Sequence, residues 1–283
     1  AGRVTADDVR AFAEAGKKKG VPSEPAREEK PKKPAPAEPA AAGEADKVGP
    51  VERIPLRSVR RATAKHVAQA WSEIPHVTHL DVADITELEQ FRQKYKTKVE
   101  EKGGALSLTV FMLKAVVSAL KNYPRFNSSL DTGTDEIILK RYYNISVAVD
   151  TERGLIVPVI RDVDRKSLVE LAIELKQVAE KARQGKTQAE ELAGGSFTIT
   201  NLGPLGGTSF NPIINYPQAA ILGMAQARMQ PVVTGEDNQI VPRLIMPLVI
   251  TFDHRVLDGA DAARFLSAII ESLREPENLL MVL

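Results

Sequence analysis

Between Lys17 and Pro50 the chain reads KKKGVPSEPAREEKPKKPAPAEPAAAGEADKVGP, and this stretch limits what the rest can fold into. It is mostly Pro, Ala, Lys, Glu and Gly and has almost nothing to bury. Such a segment cannot offset its own ordering entropy, and alternating Pro and Ala keep it extended. It divides the 283 residues into an N-terminal segment, 1–15, a linker, 16–50, and a globular part, 51–283. Fifteen residues are too few for a stable domain, so the first segment reads as the end of a module that begins upstream. There Thr5, Asp7 and Asp8 precede Val9, Phe12 and Ala13, the pattern of one short capped helix.

With 43% hydrophobic and 27% charged residues, the chain has enough apolar side chains for a full core. A net charge of +1 gives no case for binding nucleic acid or a membrane surface through bulk charge. No apolar run reaches the roughly 18 residues of a membrane span, and AGRVTADDVR lacks a secretory start. The absence of cysteine excludes disulfides, thiolate metal sites and a thiol nucleophile.

From Val51 onward, helical and strand periodicities alternate. In ITELEQFRQKYKTKVEEKGG, Thr86 and Glu89 predict a capping box and Gly103 a helix end. LSLTVFMLKAVVSALKNYP predicts a helix capped by Ser107 and stopped before Pro124. RYYNISVAVDTERGLIVPVIRD predicts two strands joined by a turn from Asp150 to Gly154. A further helix starts at Ser167 with Glu170 and closes near Gly185. SFTITN and MPLVITF read as strands, and ADAARFLSAIIESL as a last helix before Pro276 and the tail LLMVL. With no internal repeat, the globular part is a mixed α/β domain.

The strand MPLVITF runs into DHRVLDGAD, which places His254 at a strand end and Asp258 before the next helix. A group there is held by the strand while the loop leaves room for substrate. Taken by itself the pattern is equally that of a capping aspartate and a satisfied polar histidine. HRVLDG together with SFTITNLGPLGGTSFNPIINYPQAAILG, IPLRSVRRATAKHVAQAW, IPHVTHLDVADITELEQFR, FNSSL and AVDTERGLIVPVIRDVD resembles the catalytic domain of the dihydrolipoyllysine acyltransferases. These are the E2 components of 2-oxoacid dehydrogenase complexes. AGRVTADDVRAFA is similar to the end of the peripheral subunit-binding domain that precedes this core in the family.

The resemblance implies a chloramphenicol acetyltransferase-like fold, a mixed sheet with flanking helices. It implies transfer of an acyl group from a lipoyl thioester to coenzyme A. On that reading His254 is the general base that takes the thiol proton, and Thr200 supplies a hydroxyl to the oxyanion from a neighbouring chain of a trimer. By propensity alone Thr200 is an ordinary strand residue. Asp258 either caps the last helix or pairs with Arg57, Arg60 or Arg61, and RSVRR leaves that choice open. Gly259 is expected to allow a tight turn. Arg92 matches a family contact to coenzyme A, whose phosphates favour arginine; otherwise it is a solvated helix charge.

Arg3 matches a basic residue that grips the E1 or E3 partner, although so short a remnant is expected to bind weakly. The lipoyl group is expected on an upstream domain, because Lys47, in EADK, lies within the linker rather than between strands. His76 and His79 are three apart and on a strand face opposite ways, so no metal is expected. Trimers of the family associate into a cube or dodecahedron, and LLMVL suits such a contact. Such a protein resides in the cytoplasm of a bacterium or the mitochondrial matrix of a eukaryote.

The acyl group is expected to be acetyl, from PHVTHLDVADITELEQF, whereas Thr200 is more usual in the succinyl and branched-chain branches. A free-standing acetyltransferase of the chloramphenicol kind fits the linker poorly. A non-catalytic scaffold fits the intact His254, Asp258 and Thr200 poorly.

Overall fold

The computed structural model describes residues 48–56, 58–235 and 238–277. The helix expected in residues 1–15, most of the linker, Arg3, Lys47, Arg57 and the LLMVL tail lie outside them. Contacts divide the chain into two units between Pro55 and Leu56, and all the named helices and strands belong to the second.

In chain order they begin with α1 (Ser58–Glu73), β1 (His76–Asp84), α2 (Thr86–Glu101) and α3 (Leu108–Asn122). A hairpin of β2 (Ser128–Asp131) and β3 (Glu136–Leu139) forms a separate two-stranded sheet. Then come β4 (Ile145–Val147), β5 (Val159–Ile160), α4 (Leu168–Arg183), β6 (Phe197–Asn201), β7 (Ala220–Met224), β8 (Arg228–Thr234), β9 (Gln239–Asp253) and α5 (Gly259–Arg274). The main sheet is ordered β1–β9–β7–β6–β4–β5, with β8 beside the first half of β9. β4, β6 and β7 run parallel, and the other pairs are antiparallel. The mixed sheet with flanking helices agrees with expectation. No described helix is long and apolar enough to cross a membrane.

The period-two alternation of strands sorts the sheet into two unlike faces. Phe197, Ile199, Leu222, Leu248, Ile250 and Phe252 enter the main core with α3 and α5. From α3, eleven consecutive or near-consecutive residues from Thr109 to Leu120 are buried, so this helix is covered on nearly all sides. Phe265 of α5 stacks on Phe126 with centroids 4.0 Å apart, and Tyr123 meets it edge-on. Phe265→Ala should therefore cost about 3–5 kcal/mol, read as a lowered denaturant midpoint at fixed protein concentration. A shift worth under about 1 kcal/mol would show that this ring cluster is not the centre of the core.

Four helix caps test the sequence reading: Ser107 stands at the N-cap of α3 but its side chain makes no capping bond. Ser167 and Glu170 form the predicted capping box, and Asp258 caps α5 through a reciprocal box with Asp261. The box predicted for Thr86 and Glu89 does not form. Thr86 already lies inside the helix, where its N–H and hydroxyl both donate to Asp84 Oδ1 and its hydroxyl accepts from Leu244 N–H. Glu89 turns instead to Arg92. Gly259 also differs from expectation. It starts α5 without a positive φ, and an added Cβ would meet nothing within 4 Å.

Candidate active site

β9 ends at Asp253, and the chain turns so that His254 stands exposed at the rim of the sheet. Its backbone N–H donates to Pro75 O at 3.1 Å, which ties the rim to the segment between α1 and β1. The ring lies tilted 5.8 Å from that of Phe252. Neither imidazole nitrogen is hydrogen-bonded among the described residues, so both are open to a substrate.

Asp258 accepts from Asp261 N–H at 2.8 Å. That bond, at the first turn of α5 and with Arg264 and Arg125 nearby, holds its carboxyl below the usual carboxylate range. Of the three arginines considered for it, Arg57 is not described, Arg61 donates to Leu56 O, and neither Arg60 nor Arg61 pairs with Asp258 among the described residues. Arg125, unforeseen in the sequence, bonds Asp261 at 2.9 Å and ties the turn after α3 to the start of α5.

Thr200 stands half-buried near the end of β6 on the face opposite the core. It lines a cavity of about 1140 Å³ between α1 and the sheet, with His66, Ser146, Thr198, Phe210 and Tyr216 among the other walls. The floor is set by buried hydrogen bonds. Thr198 donates to Gln218 Oε1 at 2.6 Å, and Gln218 Nε2 reaches Ser146 Oγ at 3.5 Å. His66 Nε2 bonds Tyr216 O at 2.9 Å, closing α1 onto the far wall. A hydrogen-bonded polar floor beneath apolar walls is the usual make-up of a small-molecule site.

The strand register then measures the separation of the two expected catalytic groups. Thr200 stands opposite Gly223, and Gly223 opposite Val249. His254 is five residues further along β9. At about 3.4 Å per residue and 4.8 Å per strand, the two lie roughly 20 Å apart. One chain does not bring them together.

Arg92 is elsewhere again. On α2 its Nε and Nη2 clamp Glu89 at 2.7 Å each, and Nη1 donates to Leu106 O at 3.1 Å. The hydrogen bonds to Glu89 raise its already high pKa, and the same pair lowers that of Glu89. His76 bonds Ile74 O through Nδ1 and accepts from Ile214 N–H at Nε2, so both its nitrogens serve the backbone.

Residues 48–281 match the family profile of the 2-oxoacid dehydrogenases acyltransferase (catalytic domain). The chain belongs to that acyltransferase family. It is 46% identical over 237 residues to the dihydrolipoyllysine-residue acetyltransferase component of the pyruvate dehydrogenase complex of Haemophilus influenzae. That match covers 83% of this chain and 41% of the relative, so the chain spans about two fifths of that protein. Among solved acyltransferase structures, the dihydrolipoamide acetyltransferase of Azotobacter vinelandii superposes with a TM-score of 0.79 at 45% identity. It covers 83% of this chain and 96% of that one. The cubic core of a pyruvate dehydrogenase multienzyme complex superposes equally, at 0.79 with 44% identity and the same coverage. The acyltransferase fold implied by the sequence motifs is thus the fold of these cores.

Proposed function

We propose that this chain is the catalytic core of a 2-oxoacid dehydrogenase complex and moves an acetyl group from a dihydrolipoyl thioester to coenzyme A. The observation that carries the reading is the exposed imidazole at the close of β9, in a chain 46% identical to an acetyltransferase of that name. A thiol with a pKa of about 8.5 is mostly protonated near neutrality, and the thiolate is the nucleophile. His254 takes the proton of the coenzyme A thiol as its sulfur attacks the thioester carbonyl. The Thr200 hydroxyl of a neighbouring chain donates to the oxyanion that forms. Collapse expels the dihydrolipoyl sulfur, which recovers the proton from the imidazole. No residue of the chain is acylated.

The Azotobacter structure is described as concerning a serine, a histidine and an asparagine in the catalytic mechanism, the last two four residues apart. Here Asp258 follows His254 at that interval, and Thr200 keeps a hydroxyl. Asp258, as the cap of α5, fixes the helix that follows the catalytic turn. Arg92 would meet a phosphate of coenzyme A only by giving up part of its Glu89 clamp. The lipoyl group would be carried on another domain, and E1 and E3 would dock through the region of Arg3. Trimers would build the core, and the likeness to a cubic core favours a cube.

Acetyl-, succinyl- and isobutyryl-dihydrolipoamide offered at equal concentration test the substrate. Acetyl should be transferred at least about tenfold faster, since excluding a larger acyl group from a shaped pocket is worth roughly 1–3 kcal/mol. A succinyl or isobutyryl preference would move the chain to another branch of the family.

A further inference from the structure

The His254 ring has no hydrogen-bonding partner among the described residues of its own chain, yet a general base must be held within a fraction of an ångström. What holds it is the turn from Asp253 to Leu257. Every backbone N–H of that turn is accounted for. Asp253 donates to Ala219 O, His254 to Pro75 O, and both Val256 and Leu257 to Asp253 O. Arg255 N–H donates to Asp253 Oδ1 at 3.0 Å. The turn is therefore wound around one residue, Asp253, whose side chain is almost fully buried.

The Asp253 carboxylate has one cation among the described residues. Arg255 Nε reaches both oxygens, at 2.9 and 3.2 Å, and Nη2 reaches Oδ2 at 2.7 Å. The residues on either side of the imidazole are thus joined by a planar fork. A lysine, with one nitrogen, cannot make these contacts. The Asp253 bonds raise the guanidinium pKa, and the charges of Glu73, the last residue of α1, and of Tyr216 add to this. The carboxylate of Glu73 pushes the Tyr216 hydroxyl pKa up. Among the described residues Arg255 is thus bonded to the end of β9 alone, with the Glu73 carboxylate at the end of α1 adding to the field that keeps it charged.

We propose that Arg255 is a positioning residue for His254: its fork on the buried Asp253 carboxylate fixes the turn that aims the imidazole. The inference rests on His254 being the base of the proposed transfer. Removing the fork leaves a buried carboxylate without its cation, and the turn must move to bring that charge to water. Misplacement of a reacting group by about 1 Å can cost on the order of 10²-fold in rate.

The test uses Arg255→Lys and Arg255→Gln in the assembled full chain, with coenzyme A and acetyl-dihydrolipoamide each varied. Both variants should lose about 10–100-fold in kcat, with KM for coenzyme A within about twofold of the parent. Asp253→Asn leaves no buried charge behind, so it reports even if the arginine variants do not fold. It keeps an acceptor for Arg255 N–H and should lose kcat in the same direction. A KM for coenzyme A that rises tenfold at unchanged kcat would make Arg255 a substrate contact and overturn the proposal. So would a lowered melting temperature with unchanged kcat measured below it, since that is a purely structural role. His254→Ala, run beside them, separates the two ideas. If it is inactive while Arg255→Lys turns over normally, only the positioning role fails. If it remains active, the assignment of His254 as the base fails first, and the positioning role with it.

Discussion

Replacing His254 by alanine is expected to lower the rate of acetyl transfer by about 10²–10⁴-fold while the fold and assembly survive. The second half of that expectation follows from how little the ring does for the structure. It is exposed, touches the Phe252 ring at 5.8 Å between centroids, and bonds nothing through its nitrogens among the described residues. The tie between this position and Pro75 is a backbone bond that alanine keeps. Loss of a surface side chain of this kind is usually worth within about 0.5 kcal/mol. The first half follows from thiol chemistry, because without an acceptor only the small thiolate fraction present at neutral pH can attack. Initial rates at saturating substrates, with sedimentation to confirm the same particle size, check both. A variant within about threefold of the parent rate would remove His254 from the mechanism.

Much of this site was legible because its parts lie on local signals. The end of a strand followed by a capped helix put His254 and Asp258 where the structure has them, and the capping of α5 is as written in DGAD. The box at Ser167 and Glu170 and the positive φ of Gly103, Gly154 and Gly185 are equally local. The failures came where other partners compete, near in sequence or far from it. Thr86 and Glu89 have the spacing of a cap, but Asp84, Leu244 and Arg92 claim their side chains first. β8 and the first half of β9 escaped notice because Pro231 and Pro242 argue against strands. In the structure the two prolines face each other across the hairpin. β1 and β7, lying on either side of β9 in the sheet, show no clean alternation: β7 is buried on both faces, and β1 is mostly half-buried or exposed on both. Arg125, His66 and Tyr216 join the site only through tertiary contacts, and nothing in their neighbourhood of sequence marks them. Arg255 and Asp253 did carry a signal: opposite charges on both sides of a histidine at a strand end.

Two inactive variants should restore activity to each other. Thr200→Val keeps the shape of the side chain and its strand preference but removes the hydroxyl, and should lose about 10²–10³ in kcat. His254→Ala loses at least as much. Expressed together in equal amounts, so that mixed trimers form, the two should recover about one quarter of the parent activity per chain. The fraction follows from the register. Within a chain the two groups are roughly 20 Å apart, so on the proposed mechanism a working site would take its imidazole from one chain and its hydroxyl from the next. Half of the chains in the mixture retain the imidazole, and half of their neighbours retain the hydroxyl. A site contained within one chain would recover nothing, because every chain in the mixture lacks one of the two groups. Mixing the variants after each has assembled serves as the control, since chains that no longer exchange should stay near the sum of the separate rates. Recovery that fails in co-expressed particles of normal size would mean that Thr200 and His254 never meet, and the oxyanion donor would have to be sought on the His254 side of the sheet.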